Sequence, residues 1–144
     1  MEDIKFYKEN QQWGEFSNFA LFTIKIKGVL WKTTEHYFQA QKFEDNNYKN
    51  KIRTCISPMK AAELGRSRKV KIKRNWDKLK DNIMYDAVYA KFTQHKELKE
   101  LLLSTGDKKI IEHTEHDFYW GDGGNGTGKN KLGKILMNVR DQLS

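Results

Sequence analysis

The sequence predicts an α+β fold: a single, predominantly helical domain over residues 1–144, with a small antiparallel sheet or hairpin near the N-terminus. Three observations predict it. Most of the chain after residue 33 carries helix caps and apolar residues at three- and four-residue spacing. Apolar alternation is confined to a few brief stretches, so any sheet is small. No repeat, low-complexity tract or Pro/Ser-rich linker marks a boundary, Pro58 is the sole proline, and 144 residues at 38% hydrophobic content suit one core and are short for two.

Each element has a local reason. "IKFY" near the start is a short strand candidate. "TIKIKGVLW", Thr23 to Trp31, alternates Ile24 and Ile26 with lysines, turns at Lys27-Gly28 and resumes at Val29, which predicts a hairpin. "TTEHYFQAQKFE" opens on a Thr cap with Glu35 in the first turn, and "SPMKAAELG" has Ser57 as N-cap, Pro58 at the first helical position and Gly65 as the expected stop. From Asn75, "NWDKLKDNIMYDAVYAKF" spaces Trp76, Leu79, Ile83, Ala87 and Ala90 as a helix does. "HKELKELLL" predicts another helix, "KIIEHT" a last short strand, and "LGKILMNVRDQL" a final helix striped by Leu132, Ile135, Leu136, Val139 and Leu143.

Composition narrows the function classes. Cys55 is the lone cysteine, which rules out an internal disulfide, and neither end shows a signal-peptide pattern or an apolar run near twenty residues. A cytoplasmic protein with no membrane partner is expected. The net charge of +8 and pI near 9.5 favour an anionic partner such as a phosphorylated metabolite or nucleic acid. The even spread of lysines along the chain is equally that of an ordinary solvated surface.

One stretch imitates a nucleotide-binding loop. "GDGGNGTGKN", residues 121–130, holds G-x-x-x-x-G-K from Gly123 to Lys129, but Asn130 stands where a P-loop has the Ser or Thr whose hydroxyl ligates magnesium. The segment before it, "EHDFYW", is no buried strand, and only one helix follows, so no sheet remains to supply the magnesium-binding Asp. What survives is a loop whose glycines (Gly121, Gly123, Gly126 and Gly128 among them) permit close backbone approach, leading with Lys129 and Asn130 into a helix N-terminus. Unpaired N–H groups there are expected to favour an anion.

Two polar constellations carry the remaining chemistry. In "WKTTEHYFQAQKF", Glu35, Gln39 and Lys42 fall at i, i+4 and i+7 on one helical stripe. The helix dipole favours the ionised form of Glu35, which suits a stabilising anion, nucleophile or base rather than a proton donor; its plain alternative is a first-turn acid that only stabilises the helix. His36 beside it is more often a satisfied structural histidine than a catalyst. In "HDFYWGD", Asp117, Trp120 and Asp122 set carboxylates beside a large aromatic, as a heteroaromatic or sugar substrate requires, although Trp120 also reads as a core anchor and Asp117 as a turn residue. "EHTEH" lacks a third-ligand spacing, neither Ser17 nor Cys55 sits in a nucleophile elbow, and no metal or cofactor is expected.

Taken in order, "GEFSNFA", "WKTTEHYFQAQKF", "ELGR", "KFTQH", "LLLSTGD" and "YWGDGGNGTGKNKLGKILM" resemble the YbiA-like, or NADAR, family from about Phe6 to Leu143. The resemblance implies a YbiA-like fold and an N-glycosidase that cleaves the ribosyl C–N bond of early riboflavin-pathway intermediates, phosphorylated ribosylaminopyrimidines, as a damage-control enzyme. Other members of the family remove ADP-ribose from guanine in DNA, so ADP-ribosylated DNA is the alternative substrate, and no obligate protein partner is implied. A non-enzymatic nucleic-acid-binding module is the alternative from another class.

Carried over by motif, the family's acid falls on Glu35, and D-x-x-W-G supplies Asp117 and Trp120 as the other catalytic residues. Ser17, Asn18, His36, Gln39, Lys42, Arg66, Trp76 and the loop residues Gly121, Asp122, Gly123, Gly126, Gly128, Lys129 and Asn130 are the substrate-binding candidates. The roles expected are cation stabilisation or water activation for Glu35, positioning of water or a sugar hydroxyl for Asp117, and stacking for Trp120, with phosphate held by Lys42, Arg66 or the glycine loop. One departure stands out: Lys32 follows Trp31 where many relatives have Pro, which is expected to relax the approach to the helix.

Overall fold

In the computed structural model, which describes residues 2–144, the α+β reading holds. In chain order the elements are β1 (Ile4–Phe6), a 3-10 turn (Gly14–Phe16), β2 (Ile24–Ile26), β3 (Val29–Trp31), α1 (Thr34–Ala40), α2 (Asn46–Thr54), α3 (Pro58–Arg66), α4 (Trp76–Gln94), α5 (Lys96–Ser104), β4 (Ile110–Glu112) and α6 (Lys131–Leu143). By contact density they form two compact units, residues 21–91 and residues 1–20 with 92–144.

Within residues 21–91, β2 and β3 make the expected hairpin, with Ile26 paired to Val29 and Ile24 to Trp31. Lys27 (φ 52°) and Gly28 (φ 79°) both adopt the left-handed conformation, the signature of a two-residue turn whose twist suits the flanking strands. Ile24 and Trp31 share the face that packs with Tyr37, Phe43, Ile52, Ala61 and Ala87 in one apolar cluster. Thr33 caps α1, its side chain accepting from the His36 N–H, and Ser57 caps α3 with Pro58 behind it.

Three details depart from the sequence reading. The helix opening at Thr33 ends at Ala40 rather than near Glu44, because the chain turns out to form a bridge between Phe43 and Ile72. α2, capped by Asp45, was not anticipated: most of its residues are polar and Ile52 alone is fully buried, so its apolar stripe is faint. Gly65 does not stop α3, which runs on to Arg66; it lies buried where a side chain would overlap the carboxamide of Gln39. It is a close-approach glycine.

The other unit is closed by a parallel ladder, Ile4 beside Ile110 and Phe6 beside Glu112, extended by hydrogen bonds from Ile4 N–H to Lys109 O (2.7 Å) and from His113 N–H to Phe6 O (2.8 Å). Period-two alternation buries Ile4, Phe6 and Ile110 on one face. Phe6 meets Phe16 edge-on at 5.9 Å, Phe16 meets Phe92 at 5.8 Å, and Leu132, Leu136 and Val139 of α6 are fully buried beside β4. Arg140 is buried too, donating to Thr105 Oγ1 (2.9 Å) and Lys108 O (2.7 Å). Among the described residues no helix is long and apolar enough to cross a membrane.

Candidate active site

Every residue of α1 is buried, although the helix carries Thr34, Glu35, His36 and Gln39. A helix polar on several faces does not bury itself for its apolar content; each polar group must find a partner inside, or it costs on the order of 1–3 kcal/mol. The partners are specific. Gln39 Nε2 donates to Glu35 Oε2 at 2.7 Å across one helical turn. The spacing read from the sequence therefore does bring Glu35 and Gln39 together.

Gln39 is oriented by what it cannot touch. Its Oε1 is buried and, among the described residues, meets no donor, while the carboxamide lies against the bare backbone of Gly65. With its oxygen edge pressed toward Gly65, its N–H edge faces Glu35. Lys42 Nζ reaches Gly65 O at 3.5 Å and lies 5.9 Å from the centre of the Phe38 ring. Burial pushes the Lys42 ammonium down to about 8; the Glu35 charge opposes that shift, and Arg68, Arg66 and Lys80 add to it. Lys42 is thus a half-buried amine beside further cations, with one carboxylate close by.

Two residues expected at the site have partners inside the fold. His36 is fully buried, its Nδ1 2.7 Å from Thr33 Oγ1 and its Nε2 3.2 Å from Cys55 O. With both ring nitrogens engaged, it joins α1 to the end of α2, and burial, the largest influence, holds its pKa below the ordinary value. Trp76 is 7% exposed, with its ring against Phe38 at 5.2 Å. Lys32 donates to Thr54 O (3.1 Å) and Cys55 O (2.9 Å). The approach to α1 is thus tethered to the C-terminus of α2, not relaxed as the missing proline suggested.

In the other unit, Asp117 Oδ1 accepts from the N–H groups of Tyr119 (3.0 Å) and Trp120 (2.8 Å), the turn role weighed for it. Trp120 is half-buried and packs edge-on to Tyr119 at 4.8 Å. Ser17 and Asn18 are buried after the 3-10 turn, Ser17 Oγ accepting from Phe19 N–H. Asp122 is buried, receiving Gly124 N–H on Oδ1 (2.8 Å) and placing Oδ2 2.9 Å from His113 Nδ1. Burial raises its pKa, but the His113 bond and the N–H groups of Gly124 and Thr114 outweigh this and hold it below the usual carboxylate value.

The glycine loop corrects an expectation. Its N–H groups do not wait for an anion: Gly128 donates to Asp122 O, Lys129 to Phe118 O, Asn130 to Gly121 O, Lys131 to Tyr119 O and Leu132 to Trp120 O, all at 2.8–3.0 Å. The chain folds back on itself and spends the donors a P-loop offers to phosphate. Asn130 likewise has its side chain engaged within the fold. It is buried with φ 52°, its Oδ1 accepting Glu112 N–H (3.0 Å) and its Nδ2 donating to Ile110 O (2.9 Å). The lysines remain, Lys129 and Lys131 lying 5.4 and 5.8 Å from the Tyr119 ring centre.

Sequence reading passed over Arg68, which donates to Gly65 O at 2.8 Å and adds to the charge at Lys42. It lies in the basic run "RSRKVKIKR", which is easily taken for solvated surface. Among the described residues, no group of three His, Cys, Asp or Glu side chains converges as a metal site would require.

Residues 5–144 match the NADAR domain, and the chain belongs to the NADAR family. Within it, the chain is 52% identical over 141 residues to N-glycosidase YbiA of Escherichia coli (strain K12), covering 98% of this chain and 88% of that protein. The NMR structure of Escherichia coli YbiA matches with a TM-score of 0.91, covering 99% of this chain and 86% of that one. A riboflavin biosynthesis protein of Vibrio vulnificus is 37% identical over 142 residues, covering 99% of this chain and 39% of that protein.

Proposed function

We propose that this protein hydrolyses the ribosyl C–N bond of phosphorylated ribosylaminopyrimidines, the early intermediates of riboflavin biosynthesis, to ribose 5-phosphate and a pyrimidine, removing reactive metabolites before they do damage. Family membership makes the chain an enzyme, a hydrolase of N-glycosyl bonds, in place of the binding-module alternative. The riboflavin assignment is supported by the name of the Vibrio vulnificus relative. The match over residues 5–144 supports treating them as one functional domain.

The observation that carries the reading is the buried Glu35 carboxylate, held by Gln39 at 2.7 Å beside a cationic cluster around Lys42. As the C–N bond breaks, positive charge develops on the ribose ring and the electron pair leaves with the pyrimidine amine, which takes a proton. Water adds to the anomeric carbon, keeps one hydrogen as the new hydroxyl and gives up the other, which balances the proton taken by the amine. A fixed, poorly solvated anion stabilises the ring cation far more than a hydrated one. Lys42 with Arg66 holds the substrate phosphate. Asp117 positions water or a sugar hydroxyl and Trp120 stacks on the pyrimidine, roles taken from the D-x-x-W-G motif.

Mass spectrometry of purified protein with each ribosylaminopyrimidine phosphate, and in parallel with ADP-ribosylated-guanine DNA, tests the assignment. Release of ribose 5-phosphate that disappears in Glu35→Gln, with the circular dichroism spectrum unchanged, is the expected result. Turnover of the modified DNA alone would overturn the substrate assignment.

A further inference from the structure

A second basic surface lies in the unit made of residues 1–20 and 92–144, outside the residues used above for turnover. A cavity of about 550 Å³ is lined there by Lys5, Lys109, Lys129, Lys134 and His113, with glycine-loop backbone as one wall. Four elements bring the lysines together. Strand alternation puts Lys5, paired across the ladder to Ile111, on the face opposite buried Ile4 and Phe6, and the same period aligns Lys109 and His113, which flank β4, with Ile111. Lys134 and Met137 project from one face of α6, and Lys129 comes from the loop. Neither Asp117 nor Trp120, nor any residue from 21–91, lines it.

Two carboxylates border the cavity, and they are not equivalent. Asp122 is buried and commits both oxygens inward, to Gly124 N–H and to His113 Nδ1. That bond fixes the imidazole at the cavity wall. Asp3 is exposed on a short edge and opposes one of the four lysines. The cleft thus keeps a surplus of convergent positive charge.

We infer that this cleft binds the phosphate groups of a nucleotide or of a nucleic-acid strand through Lys5, Lys109 and Lys134. The recognition comes from side chains, because the N–H groups of the adjoining loop from Gly128 to Leu132 already have carbonyl partners. Lysines act on phosphate as point charges, so affinity is salt-dependent and tolerant of base identity. The inference is independent of the Glu35 chemistry.

The test is a 1H–15N NMR titration of the full chain with adenosine 5′-monophosphate, adenosine and a short oligothymidylate, at low and physiological salt. Expected are shifts in the amides of Lys109, His113, Gly126 and Lys134 with the phosphorylated probes and none with adenosine. Lys109→Ala/Lys134→Ala is expected to weaken oligonucleotide binding by about tenfold and to lower the slope of log affinity against log salt by about 1.4, as loss of two single-strand phosphate contacts would. A charge-matched control, Lys51→Ala/Lys96→Ala, removes two exposed lysines elsewhere.

Saturable shifts with the mononucleotide would identify a small-molecule site, and shifts with the oligonucleotide alone a strand site; both support the inference. Equal shifts with adenosine, no shifts with any probe, or equal weakening in the control pair would overturn it.

Discussion

Replacing Asn130 tests the account of the glycine loop directly. Its side chain satisfies one backbone donor and one backbone acceptor of β4, at Glu112 and Ile110. Truncation to Ala strands both groups near the core, at about 1–3 kcal/mol each, toward the lower end where water can reach. The left-handed backbone, φ 52°, adds about 1 kcal/mol for Ala and none for Gly. Asn130→Ala should therefore cost roughly 3 to 4 kcal/mol and Asn130→Gly about 1 kcal/mol less. Asn130→Asp keeps the acceptor but sets a carboxylate against Ile110 O, and should cost at least as much as Ala. Equilibrium urea denaturation of the three variants gives the ranking. Ala and Gly variants both within about 0.5 kcal/mol of the parent protein would refute the structural role, and loss of anion binding at unchanged stability would return Asn130 to the ligand set.

Gly65→Ala drives a methyl group into the Gln39 carboxamide, so the hydrogen bond to Glu35 is lost; about 1.5–3 kcal/mol for a bond to a charged group predicts a fall in kcat of about 10- to 150-fold with KM little changed. Lys42 is charged below about 8 and neutral above it, so KM for a phosphorylated substrate should rise as pH passes upward through that value, and Lys42→Met should flatten the profile while raising KM below it. Lys129→Ala should weaken substrate binding at most, measured as KM against an unchanged kcat. Asp122 has a folded pKa below its unfolded value, so its contribution is complete above the unfolded pKa and is lost as pH falls through the depressed one; Asp122→Asn should remove that acid-limb loss from a series of urea midpoints between about pH 5 and 2.

What was legible in the sequence followed rules that act over a few residues. The Thr33 and Ser57 caps, the Lys27-Gly28 turn and the i, i+4 pairing of Glu35 with Gln39 all depend on neighbours within one or two turns. What was not legible depends on partners far along the chain. Gly65 reads as a helix stop until Gln39 is seen against it, and Asn130 reads as a failed magnesium ligand until β4 appears beside it. The burial of His36 is of the same kind: its second partner is Cys55 O, nineteen positions away. The α2 helix escaped notice because its sequence is polar and its tether, Lys32, lies outside it.

The parallel ladder between β1 and β4 has a consequence for how the chain acquires its structure. One compact unit is continuous, residues 21–91, whereas the other joins a head segment to a tail that begins only at residue 92. In vectorial synthesis the continuous unit is made whole before the strand at Ile110, which Ile4 and Phe6 need for their pairing. Closing that ladder requires the chain between Phe6 and Ile110 to be closed into a loop, a cost that grows slowly with length but comes before any reward. The strand at Ile4–Phe6 therefore keeps its apolar side chains and its backbone groups without their ladder partner until the segment at Ile110 is available.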